Sequence, residues 1–477
     1  MKGKKAEPLP EVEMPDAGEL PEGWRYATIL DACEVNPPKP SKDFLPADAP
    51  VTFVPMPAVD ADIGAITNPQ IKPYLEVRNG FTFFRDGDVI MAKITPCMEN
   101  GKAAIIHGMK NGIGFGSTEF HVMRSRGEIL PEFLYYYIRQ ESFRNEAESH
   151  FTGSVGQKRV PADFIKQSVI PLPPLAEQRR IVARIEALLS HINATRDRLS
   201  RVPLIMKKFR QGVLAAACSG RLTEEWRDDN PNVESGIQLI ERIAGRDSHS
   251  IVPYDDDPPL PLPEIPDTWE WSRCFPLCDP KRDITYGVIK LGASIKGGIP
   301  TLRSSDVRWL YIDNNDVKTI DPSIASQYSR TFLKGGEIVI TVRGTLGGIA
   351  VVPQSMAGYN ISREVAVLPI RSDLDAKYFC YAIASIWSQN WLSEVTKGVA
   401  YTGFNIRDLK RLPLPLPPLA EQHEIIRRVG LLFERADAFD QEVVAAGLRC
   451  EQLTQAVLGK AFRGELVRKM ESSNEIK

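Results

Sequence analysis

The chain has 477 residues, about three times the ~150-residue length that serves as a soft prior for one domain. Its 43% hydrophobic and 25% charged residues are those of an ordinary globular protein, with no apolar run near the ~18 residues of a membrane span and no secretory leader. Seven irregularly spaced cysteines argue against a disulfide framework and for a reducing cytoplasm, and a net charge of -2 leaves any basic surface to be local.

Thirty-seven prolines crowd residues 8–21, 36–57, 171–174, 253–266 and 413–418. A proline ring fixes φ and removes a donor, so such clusters mark edges between units. The first unit, residues 1–170, has its opening at Leu20-Pro21-Glu22-Gly23-Trp24. A β-like run, Val89-Ile90-Met91-Ala92, follows the turn Asp86-Gly87-Asp88, and 131–139 reads as a short aromatic helix. Polar, glycine-bearing loops lie at Lys93 to Lys102, at Gly116-Ser117-Thr118 and at Thr152-Gly153-Ser154-Val155-Gly156-Gln157-Lys158-Arg159.

The octet Pro171-Leu172-Pro173-Pro174-Leu175-Ala176-Glu177-Gln178 then opens a long helical arm, 171–222. Apolar residues recur at alternating steps of four and three: Ile181, Ile185, Leu188, Ile192, then Leu199, Val202, Met206, Phe209 and Val213, with Thr195 the single break. That 3.5-residue seam predicts a coiled coil, broken near Pro203. Residues 223–264 are acidic and proline-rich around Asp255-Asp256-Asp257-Pro258-Pro259, which suits an extended linker.

The second half repeats this frame. Ile265-Pro266-Asp267-Thr268-Trp269 answers the first opening, Gly335-Gly336-Glu337-Ile338-Val339 answers 86–90, and 376–387 is again an aromatic helix. Its polar loops are Thr341-Val342-Arg343-Gly344, Asn360-Ile361-Ser362-Arg363 and Thr402-Gly403-Phe404-Asn405-Ile406-Arg407. After this unit, 265–414, the octet recurs from Pro415 to Gln422, at an offset of 244, and opens a second arm, 415–466, before a tail, 467–477. Without gaps, 19 of the 52 positions of the arms are identical, so the chain is a tandem duplication whose globular parts have drifted apart. Gly447 stands where the first arm has Pro203, and each arm is expected to be two helical pieces. The expected class is α+β: two mixed α/β domains and two long helices in an internal pseudo-two-fold repeat.

Enzymatic motifs fail one by one. Gly112-Ile113-Gly114-Phe115-Gly116 does not lead into a helix and reads as a hairpin rather than a cofactor loop. No phosphate loop or nucleophile elbow exists, and Asn36-Pro37-Pro38-Lys39 and Asp257-Pro258-Pro259-Leu260 lack the aromatic of an amino-methyltransferase site. Cys274 and Cys278 have no second ligand pair. The paired loops remain. Arg, Lys, Gln and Asn read base edges, and Ser or Thr with loop N–H groups suit phosphates. The candidate DNA contacts are Lys93, Lys102, Ser117, Thr118, Gln157, Lys158 and Arg159 in the first unit, and Arg343, Arg363, Thr402, Asn405 and Arg407 in the second.

The repeated Pro-Leu-Pro-Pro-Leu-Ala-Glu-Gln helix opening, the Leu-Pro-Glu-Gly-Trp start, and the endings around Phe209-Arg210-Gln211-Gly212 and Gly220-Arg221-Leu222-Thr223 resemble the specificity subunits of type I restriction-modification systems, particularly the K-12 branch. The resemblance implies two target-recognition domains, each reading half of a bipartite DNA site, and two helices pairing antiparallel as a spacer. It implies no catalysis and no cofactor in this chain. Two methyltransferase subunits using S-adenosylmethionine and two restriction-translocation subunits using ATP and Mg would dock on it. A helix over 177–202 would span ~39 Å, close to the ~34–36 Å of one DNA turn. Window 176–222 holds ten Lys/Arg against three Asp/Glu, and 420–466 holds six against eight, so the basic helix is expected to pair with the acidic one. A fused adenine methyltransferase and a non-DNA coiled-coil adaptor are the competing readings.

Overall fold

The computed structural model describes residues 12, 14, 20–154, 156–245, 257, 258, 260–396 and 403–467. These fall into two compact units, the first from residues 1–200 with 444–477 and the second from residues 201–443. The division runs inside both arms, so each unit is a globular domain with a length of both arms packed onto it.

In the first unit all four residues of the strand Val89–Ala92 are buried, as expected of a strand covered on both faces. It lies inside an antiparallel sheet in the order Cys33–Val35, Phe120–Ser125, Val89–Ala92, Ala103–Ile105. Asp88 holds the turn before it. Its carboxylate accepts the Arg85 N–H at 2.8 Å and both prongs of the Arg124 guanidinium at 2.8 Å. A second sheet, in the order Gln70–Pro73, Pro50–Val54, Ile113–Gly116, Thr82–Arg85, contains one parallel pair, Pro50–Val54 with Ile113–Gly116.

The second unit repeats the plan. Ile338–Thr341, again wholly buried, lies in the order Thr285–Tyr286, Val365–Leu368, Ile338–Thr341, Ile349–Val351. Glu337 takes the place of Asp88, accepting from the Lys334 N–H at 2.8 Å and from Arg282 at 2.7 Å. A smaller sheet, Lys318–Ile320, Ile299–Leu302, Asn360–Ile361, keeps the parallel pair. The two divergent halves therefore share one topology.

Both units close in the same way. Arg25–Thr28 pairs antiparallel with Val169–Leu172, and Glu270–Arg273 with Pro413–Leu416. These ladders have two strands only, which is why Pro171, Pro413 and Pro415 are tolerated in them. The openings are turns, with the Trp24 N–H donating to the Pro21 carbonyl at 3.0 Å and Trp269 to Pro266 at 2.8 Å.

The octet's glutamine explains the octet. Gln178 is fully buried; its Oε1 accepts the Leu130 N–H at 2.8 Å and its Nε2 donates to the carbonyls of Glu128 and Pro173. Gln422, also fully buried, accepts from Asp375 at 3.2 Å and donates to Pro417 at 3.0 Å. Each glutamine thereby joins the start of an arm to the start of an aromatic helix, Pro131–Ile138 or Ala376–Ala384.

The first arm is two helices, Leu175–Leu199 and Val202–Cys218, with Pro203 in the first turn of the second, where its missing N–H costs nothing. The second arm corrects the expected break at Gly447: Leu419–Phe462 is one 44-residue helix. A helix-interior glycine costs only ~1 kcal/mol relative to alanine and keeps its N–H, whereas proline loses a bond and clashes. In the first unit Ile181, Val182 and Ile185 share a core with Leu458, Ala461 and Phe462; in the second, Val213, Leu214 and Ala217 share one with Ile425 and Val429. Within each unit the helices thus run antiparallel. The seam is sealed at these ends, while Phe209, Phe439 and Leu453 of the expected stripe remain exposed. Cross-helix ion pairs follow the charge asymmetry: Arg196 with Glu451 in the first unit, Arg210 with Asp437 and Asp440 in the second.

The described residues of 223–264 differ from the extended linker that the composition suggests. Gly236–Ala244 is a helix started by a capping box between Ser235 and Gln238, and Leu239, Ile240 and Ile243 are buried in the second unit's core. Asp257 ion-pairs with Arg273 and Arg411, at 2.7 Å each. Apolar burial decides this stretch; the prolines that suggested a spacer lie downstream of the helix.

Candidate nucleic-acid interface

Three loops of the first unit meet just beyond the strand Val89–Ala92. The Lys93 N–H donates to the Glu119 carbonyl at 2.9 Å, the Val160 N–H to the Lys93 carbonyl at 2.9 Å, and the Thr95 N–H to the Lys158 carbonyl at 3.1 Å. Thr152 and Arg159 exchange both backbone hydrogen bonds, which closes 152–159 as a loop standing on that junction. Gln157 and Lys158 are exposed on it, and Thr118 is exposed beside it. Ser117 is half-buried, its Oγ accepting the Glu119 N–H at 3.2 Å. Lys102 turns elsewhere, its ammonium donating to the Met56 carbonyl at 3.3 Å.

Arg159 is not presented like its neighbours. Its Nε and Nη2 donate to the two Glu119 carboxylate oxygens at 2.9 and 3.0 Å, and its Nη1 donates to the Gln157 carbonyl at 2.8 Å. That fork holds the Glu119 carboxyl below the usual carboxylate range and raises the guanidinium. Beneath lies His121, buried, bonded through Nε2 to the Val160 carbonyl at 2.9 Å and through Nδ1 to the Asn36 amide at 3.1 Å. Burial pushes its pKa down, so the neutral ring is favoured, with Nε2 as donor and Nδ1 as acceptor.

The second unit builds the same junction from other residues. Beyond Ile338–Thr341, the N–H groups of Val342 and Arg343 donate to the Glu364 carbonyl at 2.8 and 3.3 Å, as Lys93 does to Glu119. Arg343 pairs with Gly403 as Ile94 pairs with Arg159, so Gly403 occupies the Arg159 position. The Glu364 carboxylate instead accepts the Ser304 hydroxyl at 2.7 Å. Arg343 is exposed, with its guanidinium 5.8 Å from the Tyr286 ring centroid, and Arg363 is exposed beside it.

Asn405 and Arg407 lie at the start of one helix. Asn405 is the N-cap of the helix Ile406–Arg411, its amide oxygen accepting the Asp408 N–H at 3.1 Å and its own N–H donating back to Asp408 at 2.9 Å. The Asn-x-x-Asp spacing signals that role in sequence. Arg407, exposed on that helix, lines a ~520 Å³ cavity with Arg273, Phe275, Lys410 and Arg411. Thr402 lies outside the described residues. Two acidic residues, Glu119 and Glu364, correspond in the repeat and lie outside the basic, amide and hydroxyl candidates, because carboxylates are not the side chains that meet phosphates. Among the described residues no group of three or more His, Cys, Asp or Glu is placed to hold a metal ion, and no helix is long and apolar enough to cross a membrane.

The duplicated topology and the doubled loop junction define a tandemly repeated two-domain protein with two helical arms. The family model described as the type I restriction modification DNA specificity domain matches residues 21–203 and 295–436, and this chain belongs to that family. It is 35% identical over 324 residues to the specificity subunit of the Escherichia coli type I restriction enzyme EcoBI, a match covering 68% of this chain but only 64% of that subunit. With the EcoAI specificity subunit of the same species it shares 28% identity over 491 residues, covering 90% of this chain and 81% of the other. Among solved structures, the fold matches a chain from a type I R-M system studied for complex assembly and conformational transition, with a TM-score of 0.66, 22% identity and coverage of 94% and 99%. It also matches the HsdS subunit from Thermoanaerobacter tengcongensis, with a TM-score of 0.53, 24% identity and coverage of 94% and 98%.

Proposed function

We propose that this chain is the non-catalytic specificity subunit of a type I restriction-modification complex, reading a bipartite, asymmetric DNA site with one half-site per unit. The observation that carries this reading is the loop junction built twice on one topology with different exposed side chains: Gln157 and Lys158 in the first unit, Arg343 and Arg363 in the second. Equal scaffolds give the same approach to DNA, and unequal side chains give two different half-sites. In this reading the chain assembles with two methyltransferase and two restriction-translocation subunits in the cytoplasm. S-adenosylmethionine, ATP and Mg would be held by those partners. The exposed apolar residues Leu204, Ile205 and Phe209 on the first arm, and Leu448 and Leu453 on the second, suit helices contributed by the methyltransferase subunits.

Replacing residues 20–170 by the corresponding part of a related subunit and mapping methylation by the assembled complex tests this. The expected result is a new first half-site with the second half unchanged. Simultaneous change in both halves would refute the two-reader assignment. The purified chain, freed of partners, should bind DNA with a steep salt dependence and methylate nothing.

A further inference from the structure

The geometry points to Glu119 and Arg159 as a positioning pair: their two-pronged contact sets the pose of the loop 152–159, and with it the sequence read by the first unit, without either side chain touching DNA. The inference rests on the reading of this chain as a DNA-specificity subunit. Four observations on the described residues support it. The Arg159 guanidinium is spent on protein, with two nitrogens on the Glu119 carboxylate at 2.9 and 3.0 Å and the third on the Gln157 carbonyl at 2.8 Å. Glu119 is itself fixed from both sides, its carbonyl by Lys93 at 2.9 Å and its N–H by the Ser117 hydroxyl at 3.2 Å. Gln157 and Lys158, exposed like Thr152, Gly153, Ser154 and Gly156, directly precede the anchored residue and carry the loop's long polar side chains. The second unit keeps the glutamate but anchors it differently, with Ser304 donating to Glu364 at 2.7 Å and Gly403 where Arg159 stands.

The physical argument is one of lever and tip. A base-edge contact requires both of its hydrogen bonds to be in place together, so a small rotation of the loop loses discrimination while charge near the phosphates is unchanged. A planar guanidinium on a carboxylate fixes direction as well as distance. An ammonium fixes distance alone. Arg159→Lys therefore keeps the charge and loses the pose, and Glu119→Gln keeps the shape and loses the charged anchor.

The test uses the assembled methyltransferase complex on a library of duplexes carrying single mismatches in either half-site. For Arg159→Lys and Glu119→Gln alike, discrimination within the first half-site should fall roughly tenfold, the scale of one misplaced bidentate base contact. Discrimination within the second half, measured on the same complexes, should stay at the wild-type level and reports that the chain is folded and assembled. The slope of binding against salt should not change, whereas a lost phosphate contact would lower it by ~0.9. Loss of discrimination in Arg159→Lys with full retention in Glu119→Gln would mean that Arg159 reads DNA itself and would overturn the proposal, as would full retention in both. If the single variants do not assemble, the exchanged pair Glu119→Arg with Arg159→Glu decides: recovery of first-half discrimination supports positioning, and its continued loss rejects it. A wild-type complex with no bipartite preference would sink the functional reading instead, an outcome distinct from intact wild-type reading with indifferent variants.

Discussion

Trp24 and Trp269 open the two recognition units at corresponding positions, and both are buried, yet their indole N–H groups meet different fates. Trp269 donates to Glu421 at 2.7 Å, and the same fully buried carboxylate accepts from Arg227 and Thr223 at 2.6 Å each. The Trp24 indole N–H is buried without a hydrogen-bond acceptor among the described residues, and Glu177, the counterpart of Glu421, is only half-buried. Duplication thus kept the apolar shape of the opening in both units and elaborated a charged network in one. The lesson is that ring burial maintains a tryptophan in either setting, whereas a buried carboxylate persists only where several donors compensate its desolvation.

That contrast can be broken most severely at Glu421. Glu421→Ala would leave the buried Trp269 indole and the half-buried Arg227 guanidinium without their acceptor and should cost ~3–5 kcal/mol, against ~0.5 kcal/mol or less for Glu177→Ala. Denaturant unfolding of the full chain, followed by tryptophan fluorescence, measures both, and equal costs would show that the network is not integral to the second unit. A substitution expected to affect the units alike provides the control. Gly220 and Gly464 end the arms with φ of +75° and +74°, and an added Cβ would lie 2.3 Å from Pro266 Cγ in one and 2.2 Å from Pro21 Cγ in the other. Gly→Ala at either should cost ~1–3 kcal/mol from the left-handed backbone, with the proline contact adding to it. A difference of several-fold between them would mean that the openings are held differently.

The arms allow a finer comparison. Arg210 bridges two carboxylates and is 16% exposed, whereas Arg196 meets one and is 29% exposed. Arg210→Ala should therefore cost about 1 kcal/mol and Arg196→Ala a few tenths, both shrinking in high salt. The smallest expected effect is one of pH. Among corresponding residues, His121 in the first unit has Ala366 as its counterpart in the second. Because burial depresses the His121 pKa, its contribution is fully present above the ordinary histidine value of ~6.5 and declines as pH falls below it. Lys93 and Lys166 oppose its protonation and Glu119 favours it. Hydrogen exchange at pH 7 and pH 5.5 should loosen the strands around His121 more than those around Ala366, and His121→Asn should remove the difference.

The repeat frame, the arms and the opening turns were legible because each is a local signal: an identical octet, a 3.5-residue stripe, a proline-bounded turn. The break near Pro203 was legible for the same reason. Of the second unit's expected loops, Asn360–Ile361 is instead a buried strand and Ile406–Arg411 a helix. What misled was equally local. Gly447 aligns with Pro203 yet keeps its hydrogen bond and leaves the helix unbroken, and the proline-rich end of 223–264 obscures the capping box at Ser235 and Gln238.

By itself the sequence determined that the chain is a tandem duplication with two helical arms, since periodicity and repetition need no knowledge of which segments touch. Only the tertiary structure decided which candidate side chains remain available to a ligand. Arg159 meets Glu119 across 40 positions of sequence, and Ser304 meets Glu364 across 60. Arginine and glutamate that far apart carry no local mark of being paired. Their pairing follows from sheet order and strand register, which bring loop ends together and place a charge near its complement.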